Sequence, residues 1–424
     1  MVFSKQTVLL ACLVVCLIPG TSDAERTAQG GRTFETLARQ ALQVFPAIET
    51  SRAEREAAES QLTSARWQRY PTPSIEASVD DDEQRTGVLS LEQPLWTGGR
   101  INAGVDAAQS RFQASVAGLS DTRTDVLLRL ADGFSEVARR QAQLELAAQN
   151  IDAVRDLQEM IERRFDRRVS AQADLELAKS RLAQAQAERT EFQQALRLAL
   201  AQIMELVGDR VESVATDEGT AFGMPQSMEE AHRLAQAFSP TLTRLEHQQQ
   251  AARADARAER SAWWPNVSLR LEQREQRGDG ILPGERSEFR ALITVQSDFG
   301  PGLSTLSNVE AAVSEANAVG ADLARERLAV ETQISDLWFQ RRSAQRRIES
   351  AERNVASAER VRASYRSQYA IGQKSWLDVM NAVREANSAA IALENARADK
   401  MRASLSIAIL TGFAEDALLE ETDR

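Results

Sequence analysis

Cysteine is nearly missing from this chain: Cys12 and Cys16 are the only two among 424 residues. Both lie in the apolar run 8–18, which follows Lys5 and precedes Pro19-Gly20 and Ser22-Asp23-Ala24. A cation, a short apolar stretch and then small residues read as a signal peptide, residues 1–24, cut near Ala24. Leu10 and Val15 are poor neighbours for lipidation at Cys12 or Cys16. The remaining chain then has no cysteine, so an exported protein without a disulfide framework is expected. Outside this leader no apolar run approaches the ~18 residues of a membrane helix. Aromatic residues are 5% and glycines only 20, against 27% charged residues. That balance suggests long helices packed at close quarters. Histidine occurs twice, at His232 and His247, each alone on a helical stretch without a second ligand, so both read as surface or packing residues. A net charge of -11 with no basic cluster excludes a nucleic-acid binder. No Ser/His/Asp set, phosphate loop or metal cluster is found, so no catalytic residue, metal or cofactor is expected and the chain does not read as an enzyme.

What is present is a strand that hands over to a very long helix, twice. In Leu89-Ser90-Leu91-Glu92-Gln93-Pro94-Leu95-Trp96-Thr97-Gly98-Gly99-Arg100, Leu89, Leu91 and Leu95 alternate with Ser90 and Glu92, which is strand chemistry. After Gly98-Gly99 an Ala/Arg/Gln/Glu-rich helical pattern continues for tens of residues. The glycines read as a hinge rather than a nucleotide loop, because no parallel-sheet unit surrounds them. The event recurs at Ile293-Thr294-Val295-Gln296-Ser297-Asp298-Phe299-Gly300-Pro301-Gly302: Trp96 aligns with Phe299 and Gly99 with Gly302, 203 residues on. Pro301 is read as the first turn of the second long helix, where a missing N–H costs nothing.

The rest of the chain repeats in step. Residues 25–32 read as loose, 33–68 as helix, and Ile75, Ala77 and Val79 as the first arm of a β-hairpin at about 74–96. A helix from Arg100 to about Arg164 and a return helix to Val207 complete a first repeat, 25–208. Residues 209–226 read as a linker. The second repeat, 227–412, opens with the capping box Ser227-Met228-Glu229-Glu230, carries a hairpin at about 266–299 and a helix pair over 301–412, and is followed by an acidic tail, 413–424. Pro46 and Pro71 match Pro240 and Pro265 at a shift of 194, while Phe165, Asp174 and Gly208 match Tyr369, Asp378 and Gly412 at 204. The extra residues belong to the polar tip of the second hairpin, 273–287.

Strands with an apolar face cannot be left as an open sheet in lipid, because their edge N–H and C=O groups find no water. Closed barrels need about eight strands or more, so four strands per chain imply that several chains share one barrel. Along the second long helix Leu303, Leu306, Val309, Val313, Leu323, Val330, Ile334 and Leu337 read as a coiled-coil-like seam. A soluble coiled-coil structural protein of the periplasm fits the same helices. Trp67, Tyr70, Trp96, Trp263 and Trp264 flank the strands, as a girdle at the membrane interface or as anchors at the joint of sheet and helices. The acid run 80–83 fits a solvated loop or a calcium site.

At these residues the chain resembles the TolC family of outer-membrane channel proteins. Gln93-Pro94-Leu95-Trp96-Thr97-Gly98-Gly99-Arg100 is similar to that family's strand-to-helix junction, and Tyr369-Ala370-Ile371-Gly372 with Leu377-Asp378-Val379-Met380-Asn381-Ala382 to its periplasmic tip. The resemblance covers about 33–412. It implies a mainly α protein with a membrane β-barrel: a homotrimer whose protomers form a twelve-stranded barrel in outer-membrane lipid and a long helical barrel in the periplasm. It implies an exit duct for type I secretion of a large adhesin or toxin, or for drug efflux, with a periplasmic adaptor and an inner-membrane transporter of ABC or RND type as partners. Asp378 falls where the family places an acidic ring at the entrance; a second ring position is Asn381, which weakens the constriction. Tyr369 and Lys374 fall where polar links hold the tip closed, and Gly372 suits the tip turn better than its counterpart Arg168. Ser375-Trp376-Leu377-Asp378 also reads as a capping box; Asp174 lacks one and reads as a solvated first-turn acid.

Overall fold

The structure, a computed structural model, describes residues 31–79, 85–215, 222–278, 284–297, 301 and 304–419. The leader with both cysteines, the acidic tip 80–83, and Phe299, Gly300, Gly302 and Leu303 lie outside the described residues.

Thr33 starts α1 (Phe34–Val44), its hydroxyl accepting from the Thr36 N–H. Pro46 then takes the first position of α2 (Pro46–Trp67), where its missing N–H is harmless. The first hairpin is β1 (Thr72–Val79) and β2 (Arg85–Trp96), beginning two residues before the expected 74. It leads to α3 (Arg100–Asp166), 67 residues and roughly 100 Å long. A short turn reverses the chain into α4 (Gln172–Val207). The second pass gives α5 (Met228–Phe238), α6 (Pro240–Arg260), β3 (Asn266–Gly278), β4 (Gly284–Gln296), α7 (Thr305–Ala370) and α8 (Trp376–Leu410). The order of helices, hairpin, long helix and return helix thus occurs twice along the chain.

α3 runs between α2 and α6 near the sheet and between α4 and α8 farther on; α7 packs first on α6 and then on α8. Ion pairs stitch these neighbours, among them Arg111–Asp255 at 2.5 Å, Arg244–Asp121 at 3.1 Å and Arg139–Asp399 at 2.7 Å. Alanine makes the close approach possible: α3 buries eight alanines, including Ala107 and Ala131. The main core forms where α1 meets α3, α4 and the end of α8, around Leu37, Leu130, Val137 and Ile203. There Phe34 packs edge-to-face on both Phe134 and Phe222, at 5.6 and 5.8 Å.

Several boundaries differ from the sequence reading. Pro301 is not in the first turn of α7; its carbonyl closes a turn with the Ser304 N–H, and the helix begins at Thr305. The tail is not simply acidic: α9 (Phe413–Leu419) buries Ala414 and Leu418 in the main core. The linker is pinned as well, since Val211, Val214 and Phe222 are buried, and Arg32 bridges to Val214 and pairs with Asp209 at 2.8 Å. The box at Ser227 is only half made: Ser227 accepts from the Glu230 N–H, but the Glu230 carboxylate accepts from Gln226 instead. Of the seam on α7, Leu323, Ile334 and Leu337 are buried, whereas Leu306 is exposed.

Candidate channel wall and periplasmic tip

The four strands form one antiparallel sheet in the order β1-β2-β3-β4, so the two hairpins pair with each other through β2 and β3. Register sorts the side chains into two faces. One face carries the rows Ile75, Leu89, Gln273, Phe289; Pro73, Leu91, Leu271, Ala291; and Gln93, Leu269, Ile293. Its apolar residues point at nothing within the chain, with Ile75 82% and Ile293 71% exposed. The opposite face carries Ser74, Ser90, Glu272 and Arg290, then Val88, Arg274 and Glu288, then Glu92 and Arg270. Six of its charges are paired in place: Arg270–Glu92 at 2.7 Å, Arg274–Glu272 at 3.0 Å and Arg290–Glu288 at 2.7 Å. Both edges, β1 and β4, lack a partner strand among the described residues.

A bulge between Pro94 and Trp96 turns Trp96 onto Val267 at the base of the apolar face. The junction beneath it is tight. Gln93 donates to the Arg69 carbonyl at 2.9 Å, and the Trp96 ring meets Trp264 edge-on at 6.1 Å. Gly98 has φ +60, and a Cβ there would sit 2.6 Å from the Trp264 Cβ and 3.0 Å from the Ser261 carbonyl. Gly99 follows as the cap of α3. Trp67, Tyr70, Trp96, Trp263 and Trp264 are all exposed in the single chain, while Trp96 and Trp264 also pack together at the joint of sheet and helices.

About 100 Å away the two tip turns lie side by side over a small core of Val154, Leu157, Ile161, Leu175, Tyr369 and Trp376. The two turns have the same backbone: Gly372 has φ +78 and its counterpart Arg168 φ +60, the strained choice for a residue with a Cβ. Tyr369 is buried with the Arg164 guanidinium 4.7 Å above its ring, and Lys374 stands 4.4 Å over the Tyr365 ring. These cation–π contacts stand where polar links were expected, and among the described residues neither Tyr369 nor Lys374 makes a side-chain hydrogen bond. The expected capping box is complete. Ser375 donates from its N–H and its hydroxyl to the Asp378 carboxylate, at 3.1 and 2.8 Å, and accepts from the Asp378 N–H at 3.2 Å. These bonds hold the Asp378 carboxyl below its ordinary range. Asn381 is exposed and accepts from Arg384 at 3.1 Å.

Asp174 corrects the sequence reading. It is no solvated acid: its Oδ1 accepts from the Trp376 indole N–H at 2.9 Å, joining α4 of the first repeat to α8 of the second. Nothing local announces this bond, because its partner lies 202 residues away. His232 packs by hydrogen-bonding Ser335 at 3.0 Å, and among the described residues no cluster could hold a metal.

The model of the outer membrane efflux protein family matches residues 37–209 and 232–412. The alkaline protease secretion protein AprF of Pseudomonas aeruginosa is 25% identical over 354 residues, 80% of this chain and 72% of AprF. The outer membrane efflux protein BepC of Brucella suis is 22% identical over 334 residues, 78% of this chain and 73% of BepC. Among solved structures the transmembrane channel CusC superposes with a TM-score of 0.79 at 17% identity, covering 89% of this chain and 91% of CusC. The outer-membrane channel OprN superposes equally well, with a TM-score of 0.79 at 20% identity over 90% of each chain, so this chain has the fold of these channel proteins. The chain belongs to the outer membrane efflux protein family and is a channel component of the outer membrane, not an enzyme.

Proposed function

We propose that three copies close a twelve-stranded barrel through their β1 and β4 edges and form the exit duct of a type I protein-secretion system. The observation that carries the duct is the two-faced sheet with unpartnered edges. Lipid would cover the apolar face, the ion-paired face would line the lumen, and edge-to-edge joining would satisfy the backbone. The paired helices continue the wall into the periplasm, where an adaptor and an inner-membrane transporter, of ABC or RND type, supply cargo and energy. Protein cargo, such as a large adhesin or toxin, is supported by the likeness to AprF, whose name records protease secretion. Asp378 and Asn381 face each other's copies around the periplasmic mouth, so that one carboxylate per protomer narrows it.

Planar-bilayer recording tests the duct. Wild-type protein should give small cation-selective steps, and Asp378→Ala should enlarge them or lower their selectivity. Steps indifferent to the change demote Asp378 to a helix cap, and a protein that opens no pore sinks the duct. Gene deletion separates the cargo classes. Loss of a secreted protein from the medium supports secretion; unchanged secretion with drug hypersensitivity favours small-molecule efflux, and the name of BepC records efflux.

A further inference from the structure

Beside the main core, where α1, α2, α3, α5 and the ends of α8 and α9 converge, lies a cavity of about 430 Å³. Its floor is apolar: Leu42, Leu127, Phe238, Ile409 and Leu418. Its mouth is charged in one sense, with Arg39, Arg52 and Arg123 against the single carboxylate of Glu415. Two of the arginines are engaged, Arg39 with Glu35 at 2.5 Å and Arg52 with Glu49 at 3.3 Å. Arg123, half-buried, makes no ion pair among the described residues. Beside it Thr124 also lines the cavity and offers it a hydroxyl. The Thr124 side chain thus stands next to a cation at the mouth of an apolar hole. The volume falls within the range of small-molecule sites.

We propose that this cavity binds a single-chain amphipathic anion: an alkyl chain on the apolar floor, with an anionic headgroup held by Arg123 and the Thr124 hydroxyl. The proposal is independent of the duct. The nearest competing occupant is the chain itself, since residues 420–424 follow α9 and include Glu420, Glu421 and Asp423.

The test uses the full chain and laurate carrying a photoreactive diazirine at the end of its chain. Labelling should saturate, map to peptides containing Leu127, Phe238 or Leu418, and be competed by laurate but not by dodecyltrimethylammonium. Arg123→Gln should raise the half-saturating concentration about tenfold, the loss of one hydrogen bond to a charged group. Leu127→Trp should fill the cavity and abolish labelling. Deleting residues 420–424 should change neither. Labelling that never saturates, that spreads over the apolar sheet face or that the cation competes equally overturns the proposal as mere adhesion. Labelling that appears only after the deletion overturns it in favour of the tail.

Discussion

Removing the Asp174 carboxylate should loosen the tip where the two repeats meet. The bond from the Trp376 indole to Asp174 is 2.9 Å long, its donor ring is 9% exposed and its acceptor is half-buried. A hydrogen bond to a charged group contributes ~1.5–3 kcal/mol, and the partial exposure of Asp174 favours the lower end. Asp174→Ala also strands a buried indole N–H, which adds to the cost, so ~2 kcal/mol of tip stability should be lost. Trp376→Phe loses the same bond but keeps most of the ring packing. In the double variant the shared bond can be lost only once, so the two effects should fall short of additivity by ~1.5 kcal/mol. Native-state hydrogen exchange reads this locally. Amides of 154–175 and 369–383 should open about thirtyfold more often in Asp174→Ala, while those around Leu130 and Val137 in the main core stay unchanged. Strictly additive effects, or wild-type protection at the tip of Asp174→Ala, would refute the reasoning.

Two further outcomes follow from the backbone and from the cap. Gly98→Ala and Gly372→Ala both place a Cβ at positive φ, but only the first meets the Trp264 side chain and the Ser261 carbonyl; the second meets nothing within 4 Å. Gly372→Ala should therefore cost ~1 kcal/mol of strain and Gly98→Ala ~2–4 kcal/mol, so equal thermal midpoints for the two would contradict the clash. For Asp378, a folded pKa held below the ordinary 3.8 by Ser375 means that its capping contribution is complete above that value and is lost as pH falls through the lower folded value. Exchange protection in the first turn of α8 should be flat at neutral pH and fall only in strong acid, and a fall already near neutrality would show that another group governs the cap.

The long elements were legible because their periodicity is strong. Alternation through Leu89 and Leu91 placed the strands and their faces, and the repeat located both turns 204 residues apart. What was illegible depends on distance or on permissive rules. Proline is tolerated in a first helical turn but does not require one, so Pro301 could equally sit in the turn before Thr305. Acid content hid the buried side of α9, where Ala414 and Leu418 enter the main core and Phe413 packs against it. The cavity lined by Arg123 and Thr124 is assembled from six helices, and no local pattern marks it. At Asp174 the carboxylate was read by its own neighbours, whereas its bond belongs to the other repeat.

That last case shows how the duplicated halves came to differ. Asp174 and Asp378 occupy equivalent first-turn positions, but Ser375 caps α8 while α4 is preceded by Ala171, which offers no side-chain cap. Without a serine to bind, the Asp174 carboxylate is left facing outward from its own turn. The other change completes the exchange: Trp376 stands where the first repeat has Gln172, and its indole N–H reaches across to the idle carboxylate. Ala171→Ser should therefore set two demands on one group. The new hydroxyl would accept from the Asp174 N–H and donate to its carboxylate, as Ser375 does for Asp378. A carboxylate has two oxygens, so the outcome turns on geometry: drawn back over its own turn, Asp174 should leave the indole. The indole N–H resonance of Trp376 should then shift toward its position in Asp174→Ala, and the tip should open more often although a cap has been gained. An unmoved resonance with a better protected α4 would mean that cap and bridge coexist, and that Trp376 alone created the link between the repeats.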